Sequence, residues 1–250
     1  MLKQKLDIYL QELLRKPYNS LQGFYEAMGE QPDFRFGYCC KNFADMITRK
    51  MEEHDYPAFT LISDNGLNAI SLVMDDDLNT FITSPSLFMK RPADISEVVC
   101  QPGKTMKAES YSEIPGESIL ITGTEKGFSI CEPFRDWASG SVNYYRISFS
   151  IEKEKINRSF FSVNNNKRIP RITPVITVLD YNCVTPMQLS MSLGQEDVYT
   201  KDHKGSVHMN NTELENNIIE LMGTGITMKE MKHYAQRCRE LREYANKQNN

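Results

Sequence analysis

Residues 34–50 read FRFGYCCKNFADMITRK and place two adjacent cysteines between a glycine-containing lead and an amphipathic run. From Cys39 to about His54 the apolar positions recur at helical spacing, which predicts a helix that begins near Cys39. A thiol in the first turn of a helix lies near the positive end of the helix dipole and near backbone N–H groups. Both features favour the reactive thiolate. Cys39 is therefore a candidate nucleophile, and the alternative is an ordinary buried thiol.

The flanking sequence predicts helices first and strands afterwards. Residues 1–16 carry a leucine-rich helical stripe, and a second short helix opens at Asn19 or Ser20. After His54 come short runs of strand-forming residues separated by polar turns. The runs are AFTLIS (58–63), NAISLVM (68–74), TFITS (80–84), SILITG (118–123), GFSICEPF (127–134), YYRISFSI (144–151), SFFSV (159–163) and TPVITVLDY (173–181). Residues 90–117 contain few long apolar runs and predict an extended or loop-rich connection.

The C-terminal part again predicts helices. Residues 212–215 and 227–230 match the capping-box pattern, and the second pattern opens an amphipathic helix that reaches about Asn246. The order of helices, strands and helices indicates an α+β chain with an antiparallel sheet or small barrel. We divide it into a helical lobe (1–57), an antiparallel β domain (58–181) and a C-terminal segment with two helices (182–250).

Composition excludes several classes of function. The 250 residues carry a formal net charge of −4, so nucleic acid is not expected as the main partner. No apolar run approaches the roughly 18–20 residues of a membrane span, and the charged N-terminus does not resemble a secretory signal, so we expect a cytoplasmic protein. The six cysteines and four histidines show no metal-ligand spacing, so no metal is predicted. Residues 227–246 offer a possible homo-oligomer contact, although packing of that helix on its own domain is favoured.

The segment from Arg35 to Cys39, together with the order of elements, resembles the arylamine N-acetyltransferases of the papain-like transglutaminase superfamily. Their nucleophile motif runs Arg-Gly-Gly-Tyr-Cys, followed by an acidic residue and an asparagine. This chain keeps the arginine, one glycine, the tyrosine and the cysteine, whereas Lys41 replaces the acidic residue and Asn42 falls one place early. The resemblance covers most of residues 1–225, with 159–180 matching the family's late strand pair, and it implies a cysteine-proteinase-like core.

The resemblance also implies a catalytic triad that is incomplete in this chain. In the family, a histidine on the next hairpin takes the thiol proton and an aspartate on the return strand orients that histidine. The corresponding positions hold Asn68 and either Thr83 or Ser84. An asparagine amide has no basic nitrogen at working pH, and a hydroxyl cannot supply the missing carboxylate. Acetyl-CoA or another acyl thioester is the co-substrate that the resemblance implies.

Three functional hypotheses remain open. In the first, the chain has an acyltransferase fold, is catalytically impaired, and acts by binding a small-molecule acyl donor or a protein partner. In the second, Cys39 is an active thiol of an acyltransferase, transglutaminase or deamidase, and a relocated base such as His203, His208 or Asp64 replaces the lost histidine. In the third, the protein is structural or oligomeric and Cys39 is merely buried.

Overall fold

A computed structural model of the chain describes residues 1–111, 114, 117–137, 139–151, 174–194 and 196–248. It confirms the α+β class, with α-helices and three antiparallel sheets in the described residues. The α-helices are α1 (Leu2–Leu13), α2 (Leu21–Ala27), α3 (Cys40–Glu52), α4 (Ser96–Cys100), α5 (Thr212–Met222) and α6 (Met228–Gln248). The strands are β1 (Tyr18–Asn19), β2 (Ala58–Ile62), β3 (Ala69–Met74), β4 (Thr80–Thr83), β5 (Ala93–Asp94), β6 (Thr105–Ala108), β7 (Ile119–Thr124), β8 (Gly127–Arg135), β9 (Val142–Ser150), β10 (Val175–Asp180), β11 (Met187–Leu193), β12 (Val198–Lys201) and β13 (Val207–Met209).

The chain divides into two compact units, and the first comprises Met1–Arg15 with Cys40–Phe160. It contains two four-stranded antiparallel sheets, β2-β3-β4-β5 and β6-β7-β8-β9. Helix α3 packs on β2 and β3, where the Ser71 hydroxyl donates to the Ala44 carbonyl oxygen at 3.0 Å. Apolar side chains from both sheets, including Ile82, Phe128 and Phe149, form one buried cluster. Burial of these apolar side chains is the main source of stability in the first unit.

The second unit comprises Lys16–Cys39 with Phe161–Asn250. Its antiparallel sheet has the order β1-β10-β11-β12-β13. Helix α5 packs on β10 and β11, and side chains of α2, α5 and α6 share a core with the sheet. The apolar side of α6 lies in this core through Met231, Tyr234, Ala235 and Cys238. The helix for which an oligomer contact was considered therefore buries that side within its own unit.

Most predicted elements of the described chain are confirmed, within a few residues at their ends. Residues 90–117 are a correction, because β5, α4 and β6 lie in a region expected to be a loop-rich connection. The strands β11 to β13 were not predicted. The predicted strand 159–163 lies outside the described residues, as does most of the late strand pair. The two units also divide the chain differently from the three segments drawn from the sequence.

The two predicted capping boxes have different outcomes. Before α6 the box is confirmed, because the Thr227 N–H donates to the Glu230 carboxylate at 2.8 Å and the Glu230 N–H donates to Thr227 Oγ1 at 3.2 Å. Before α5 the cap is Asn211, whose side chain accepts from the Leu214 N–H at 3.1 Å. Asparagine caps helices as well as threonine does, so the helix begins at Thr212, one residue earlier than a box capped by Thr212 implies.

Candidate functional site

Cys39 is the last residue before α3 and belongs to the second unit. Its exposed fraction is 2%. The residue before it is fixed to β1, since the Tyr38 N–H donates to the Pro17 carbonyl oxygen and the Asn19 N–H donates to the Tyr38 carbonyl oxygen, both at 2.9 Å. The predicted nucleophile is therefore a buried thiol that follows an anchored backbone.

Gly37 makes this anchoring possible. Its φ is +105°, and a Cβ at this position would lie 2.8 Å from the Pro17 carbonyl oxygen and 3.1 Å from the Asn19 Cβ. Only glycine adopts such a conformation without strain, and no side chain fits the approach. Gly37 thus permits the close approach of this segment to the backbone at Pro17.

A 3-10 helix, Phe34–Phe36, precedes the glycine. Asp33 caps it by accepting the Arg35 N–H at 3.1 Å, and the Arg35 guanidinium lies 2.6 Å from the same carboxylate. The hydrogen bonds from Arg35 lower the pKa of Asp33 below its ordinary value. Arg35 is thus paired with Asp33, the residue that caps the 3-10 helix.

Asn68 and Ser84, where the resemblance implies a histidine and an aspartate, lie in the first unit. Asn68 directly precedes β3, and its backbone N–H donates to Ser63 Oγ at 2.9 Å. Ser84 directly follows β4, is 2% exposed, and shares a 2.9 Å hydroxyl contact with Ser86. The neighbouring Thr83 hydroxyl is buried and has no hydrogen-bond partner among the described residues. The structure therefore assigns Cys39 to one unit, and Asn68 and Ser84 to the other.

Both histidines considered as relocated bases belong to the hairpin of β12 and β13 in the second unit. His203 Nε2 lies 3.1 Å from Asp180 Oδ2, and His208 Nε2 lies 3.0 Å from Asp202 Oδ2. The hydrogen bond between His208 and Asp202 can orient the imidazole, which is the role of the third triad member, whereas His203 Nε2 has no hydrogen-bond partner among the described residues. Asp64, the third candidate, belongs to the first unit and donates its backbone N–H to the Ser148 carbonyl oxygen at 2.8 Å.

Sequence reasoning missed a groove of about 530 Å³ in the second unit, between the 3-10 helix and α6. Its aromatic lining is Tyr25, Phe36 and Tyr234. The Tyr234 ring is stacked between the other two, with centroid distances of 4.4 Å to Tyr25 and 4.2 Å to Phe36. Two residues of the Cys39 motif, Arg35 and Phe36, therefore belong to the wall of a groove. No sequence signal joins them to Tyr234, which lies almost 200 residues away.

A hydrogen-bond chain fixes the aromatic wall. The Tyr25 hydroxyl donates to the Tyr234 carbonyl oxygen at 3.0 Å, and the Tyr234 hydroxyl donates to Gln22 Oε1 at 2.9 Å. The Gln22 amide donates in turn to the Asp33 carbonyl oxygen. Burial raises the pKa of both tyrosines above the ordinary value, so the phenols remain neutral donors.

The rim of the groove is mostly basic. Arg35, Lys229, His233 and Arg237 line it together with one acidic residue, Glu230. The two hydrogen bonds from Thr227 to the Glu230 carboxylate lower the pKa of that carboxyl. Arg237 lies 3.5 Å from the Glu30 carboxylate. Lys229 is exposed, and no ion pair to it is found in the described structure. The groove thus combines a rigid aromatic wall with basic groups at its mouth.

A different set of side chains in the second unit has the donor types of a metal site. Asp180, Cys183 and His203 each offer one donor atom, and these atoms lie within 4.8 Å of one another. No spacing rule identifies these three residues in the sequence, because they come from two separate turns.

No family model matches the chain, and the search of curated proteins finds no match. Among the described helices, none is long and apolar enough to cross a membrane.

Proposed function

We propose that the chain is a non-catalytic binding protein with an arylamine N-acetyltransferase-like architecture, which holds its ligand in the groove of the second unit. One observation carries the proposal. Arg35 and Phe36 of the nucleophile-like motif line the groove, whereas Cys39 of the same motif is 2% exposed. In this chain the motif contributes side chains to a ligand wall, and its thiol is withdrawn from solvent.

The chemistry of the two remaining triad positions supports the absence of acyl transfer. Activation of a thiol by a general base contributes about 10²- to 10⁴-fold to a rate. Asn68 has no group that accepts a proton near neutral pH, and Ser84 carries no negative charge to stabilise an imidazolium. The motif of an acyltransferase can persist in such a chain while the reaction is lost.

The lining of the groove indicates the class of ligand. Flat apolar groups pack favourably against aromatic rings, and basic side chains at the mouth attract phosphate or carboxylate groups. Coenzyme A thioesters contain a planar base and several phosphates, and the resemblance to the acetyltransferases implies such a donor. We therefore propose an acyl thioester of coenzyme A as the ligand, bound without transfer of its acyl group.

Calorimetric titration with acetyl-CoA tests this proposal. We expect saturable binding to the wild type and weaker binding to Lys229→Ala, because that exposed ammonium would lose its contact with the ligand's negative charge. Lys247→Ala is the matched control, since Lys247 is exposed on the same helix and does not line the groove. Absence of binding to the wild type, or equal losses in the two variants, would contradict the proposal.

A second candidate function is an active thiol acyltransferase, transglutaminase or deamidase with a relocated base. The observation that favours it is the placement of His203 and His208 beside carboxylates in the unit that contains Cys39. Under this hypothesis His203→Ala or His208→Ala would abolish adduct formation on Cys39. The binding hypothesis predicts that the wild type already forms no adduct.

A further inference from the structure

The sheet order of the second unit brings two hairpin turns to one edge. β10 and β12 are both antiparallel to β11, so they run in the same direction and end at the same edge of the sheet. Asp180 is the last residue of β10, Cys183 lies in the turn that follows, and His203 lies in the turn after β12. Residues separated by about twenty positions in sequence are thereby placed side by side.

The three donor atoms all lie within 4.8 Å of one another. Asp180 Oδ2 lies 3.1 Å from His203 Nε2 and 3.9 Å from Cys183 Sγ. Donor pairs on one tetrahedral zinc ion are separated by about 3.4 Å for nitrogen and oxygen and about 3.6 Å for sulfur and oxygen, given zinc–ligand bonds of about 2.0–2.3 Å. The observed separations differ from these by a few tenths of an ångström.

The imidazole of His203 lies close to the Asp180 carboxylate but is not oriented to form a hydrogen bond with it. Its Nε2 atom is buried, and no hydrogen bond to it is found within the described part of the chain, although Asp180 Oδ2 is at hydrogen-bond distance. The lone pair of this nitrogen is therefore not used by a hydrogen bond in the described structure and can bind an ion. The ring nitrogen of a neutral histidine is a common metal ligand.

The carboxylate of Asp180 is oriented by a backbone hydrogen bond. Asp180 is 6% exposed, and the Asn182 N–H donates to its Oδ1 atom at 2.9 Å. This leaves Oδ2 directed towards the thiol and the imidazole. Hydrogen bonds that orient a ligand in this way are a regular part of metal sites. The next residue after the cysteine, Val184, is fully exposed, so an ion can reach the turn from solvent.

We propose that Asp180, Cys183 and His203 bind one zinc ion, with the fourth position open to water or to an external ligand. One thiolate, one imidazole and one carboxylate form a donor set that suits Zn²⁺, and three protein ligands are the number found in open sites. On binding, the S–H bond of Cys183 breaks, a sulfur–zinc bond forms, and the proton passes to solvent. This site is independent of the groove and of Cys39.

Titration of the metal-free full-length protein with Co²⁺ tests the site directly. One equivalent should produce a thiolate-to-cobalt charge-transfer band in the near ultraviolet and visible bands typical of tetrahedral cobalt, and Zn²⁺ should displace both. Cys183→Ser should abolish the charge-transfer band. His203→Ala should weaken cobalt binding by at least about 100-fold. Loss of a residue that only hydrogen-bonds a metal ligand already costs about 10- to 100-fold in affinity, and His203 is proposed as a ligand itself.

Two matched variants should bind cobalt as the wild type does. Cys131→Ser removes another half-exposed thiol, and His208→Ala removes the histidine that lies beside Asp202 on the same hairpin. Zinc should also protect Cys183 of the wild type from alkylation, which requires no variant and so does not depend on any variant folding. A wild type without a thiolate band, or without protection of Cys183 by zinc, would overturn the proposal.

Discussion

The ring of Phe36 lies against the ring of Tyr234, with centroids 4.2 Å apart and planes 12° from parallel. Phe36 belongs to the segment that precedes Cys39, and Tyr234 belongs to the C-terminal helix α6. This stack joins the nucleophile-like motif to the C-terminal helix α6. It also forms the wall of the groove that we propose as the ligand site.

Removing the Tyr234 hydroxyl should destabilise the protein. In Tyr234→Phe the stacking remains, but Gln22 Oε1 loses the donor at 2.9 Å, and Gln22 has an exposed fraction of 0%. A buried acceptor without its partner costs about 1–3 kcal/mol. Chemical denaturation measures the loss in the free energy of unfolding. Tyr244→Phe is the control, because Tyr244 lies on the same helix and is 63% exposed; equal effects of the two substitutions would contradict the hydrogen-bond assignment.

Alkaline solution should weaken the second unit. Burial raises the pKa of the Cys238 thiol to about 12 and raises those of Tyr25 and Tyr234 above the ordinary value. The folded protein therefore keeps protons that the unfolded chain releases above pH 9.0 for the thiol and 10.0 for the phenols. This stability is fully present below those values and is lost as the pH rises.

Unfolding free energies measured between pH 8 and pH 11 check this dependence. We expect the free energy of unfolding to decline over that interval, and Cys238→Ala or Tyr234→Phe should make the decline shallower by removing one of the groups that releases its proton on unfolding. If the free energy of unfolding declines as steeply in both variants as in the wild type, other groups are responsible for the pH dependence.

Substitution of Gly37 should be more damaging than substitution of Gly29. Both have positive φ, +105° and +77°, so alanine is strained at either position. A Cβ on Gly37 would also lie 2.8 Å from the Pro17 carbonyl oxygen, whereas nothing lies within 4 Å of one on Gly29. We expect Gly29→Ala to cost about 1 kcal/mol and Gly37→Ala at least about 2–3 kcal/mol. Thermal and chemical unfolding of the two variants measure the difference, and similar losses would mean that the backbone at Gly37 relaxes.

Alkylation should discriminate between the cysteines. Cys100 is exposed, whereas Cys39 is 2% exposed. Since an alkylating reagent must reach the thiolate, we expect modification of Cys100 at neutral pH well before Cys39, which should react when denaturant is added. Peptide mass spectrometry after timed exposure to iodoacetamide measures both rates. Rapid modification of native Cys39 ahead of Cys100 would indicate an accessible, activated thiol.

Local patterns accounted for much of the fold. Short runs of strand-forming residues located β2, β3, β4, β7, β8, β9 and β10, and the Thr227 to Glu230 box located the start of α6. β11 (MQLSMSL) was missed because, although its apolar residues alternate, it contains none of the β-branched or aromatic residues that are typical of strands, and β12 and β13 were missed because they are only four and three residues long. The sheet nevertheless accommodates the serines of β11, as when Thr177 and Ser190 share a buried 2.9 Å hydroxyl contact. Such a partner lies on another strand and leaves no trace in a local pattern.

Some parts of the candidate sites could be predicted from local sequence, whereas others depend on tertiary contacts. The Cys39 motif could be found because its residues are adjacent in sequence. The groove depends on Phe36 meeting Tyr234, and the zinc-ligand set depends on two turns meeting at one sheet edge. Both arise from tertiary contacts between distant segments, which spacing rules do not capture.

The most direct test of the central claim is the intact mass of the wild-type protein after incubation with acetyl-CoA, beside Cys39→Ala treated in the same way. Our account predicts that acetyl-CoA binds reversibly and that neither protein gains the mass of an acetyl group under denaturing conditions. An acetyl adduct on the wild type that Cys39→Ala lacks would show that the thiol is acylated, and would contradict the assignment of this chain as a non-catalytic binding protein.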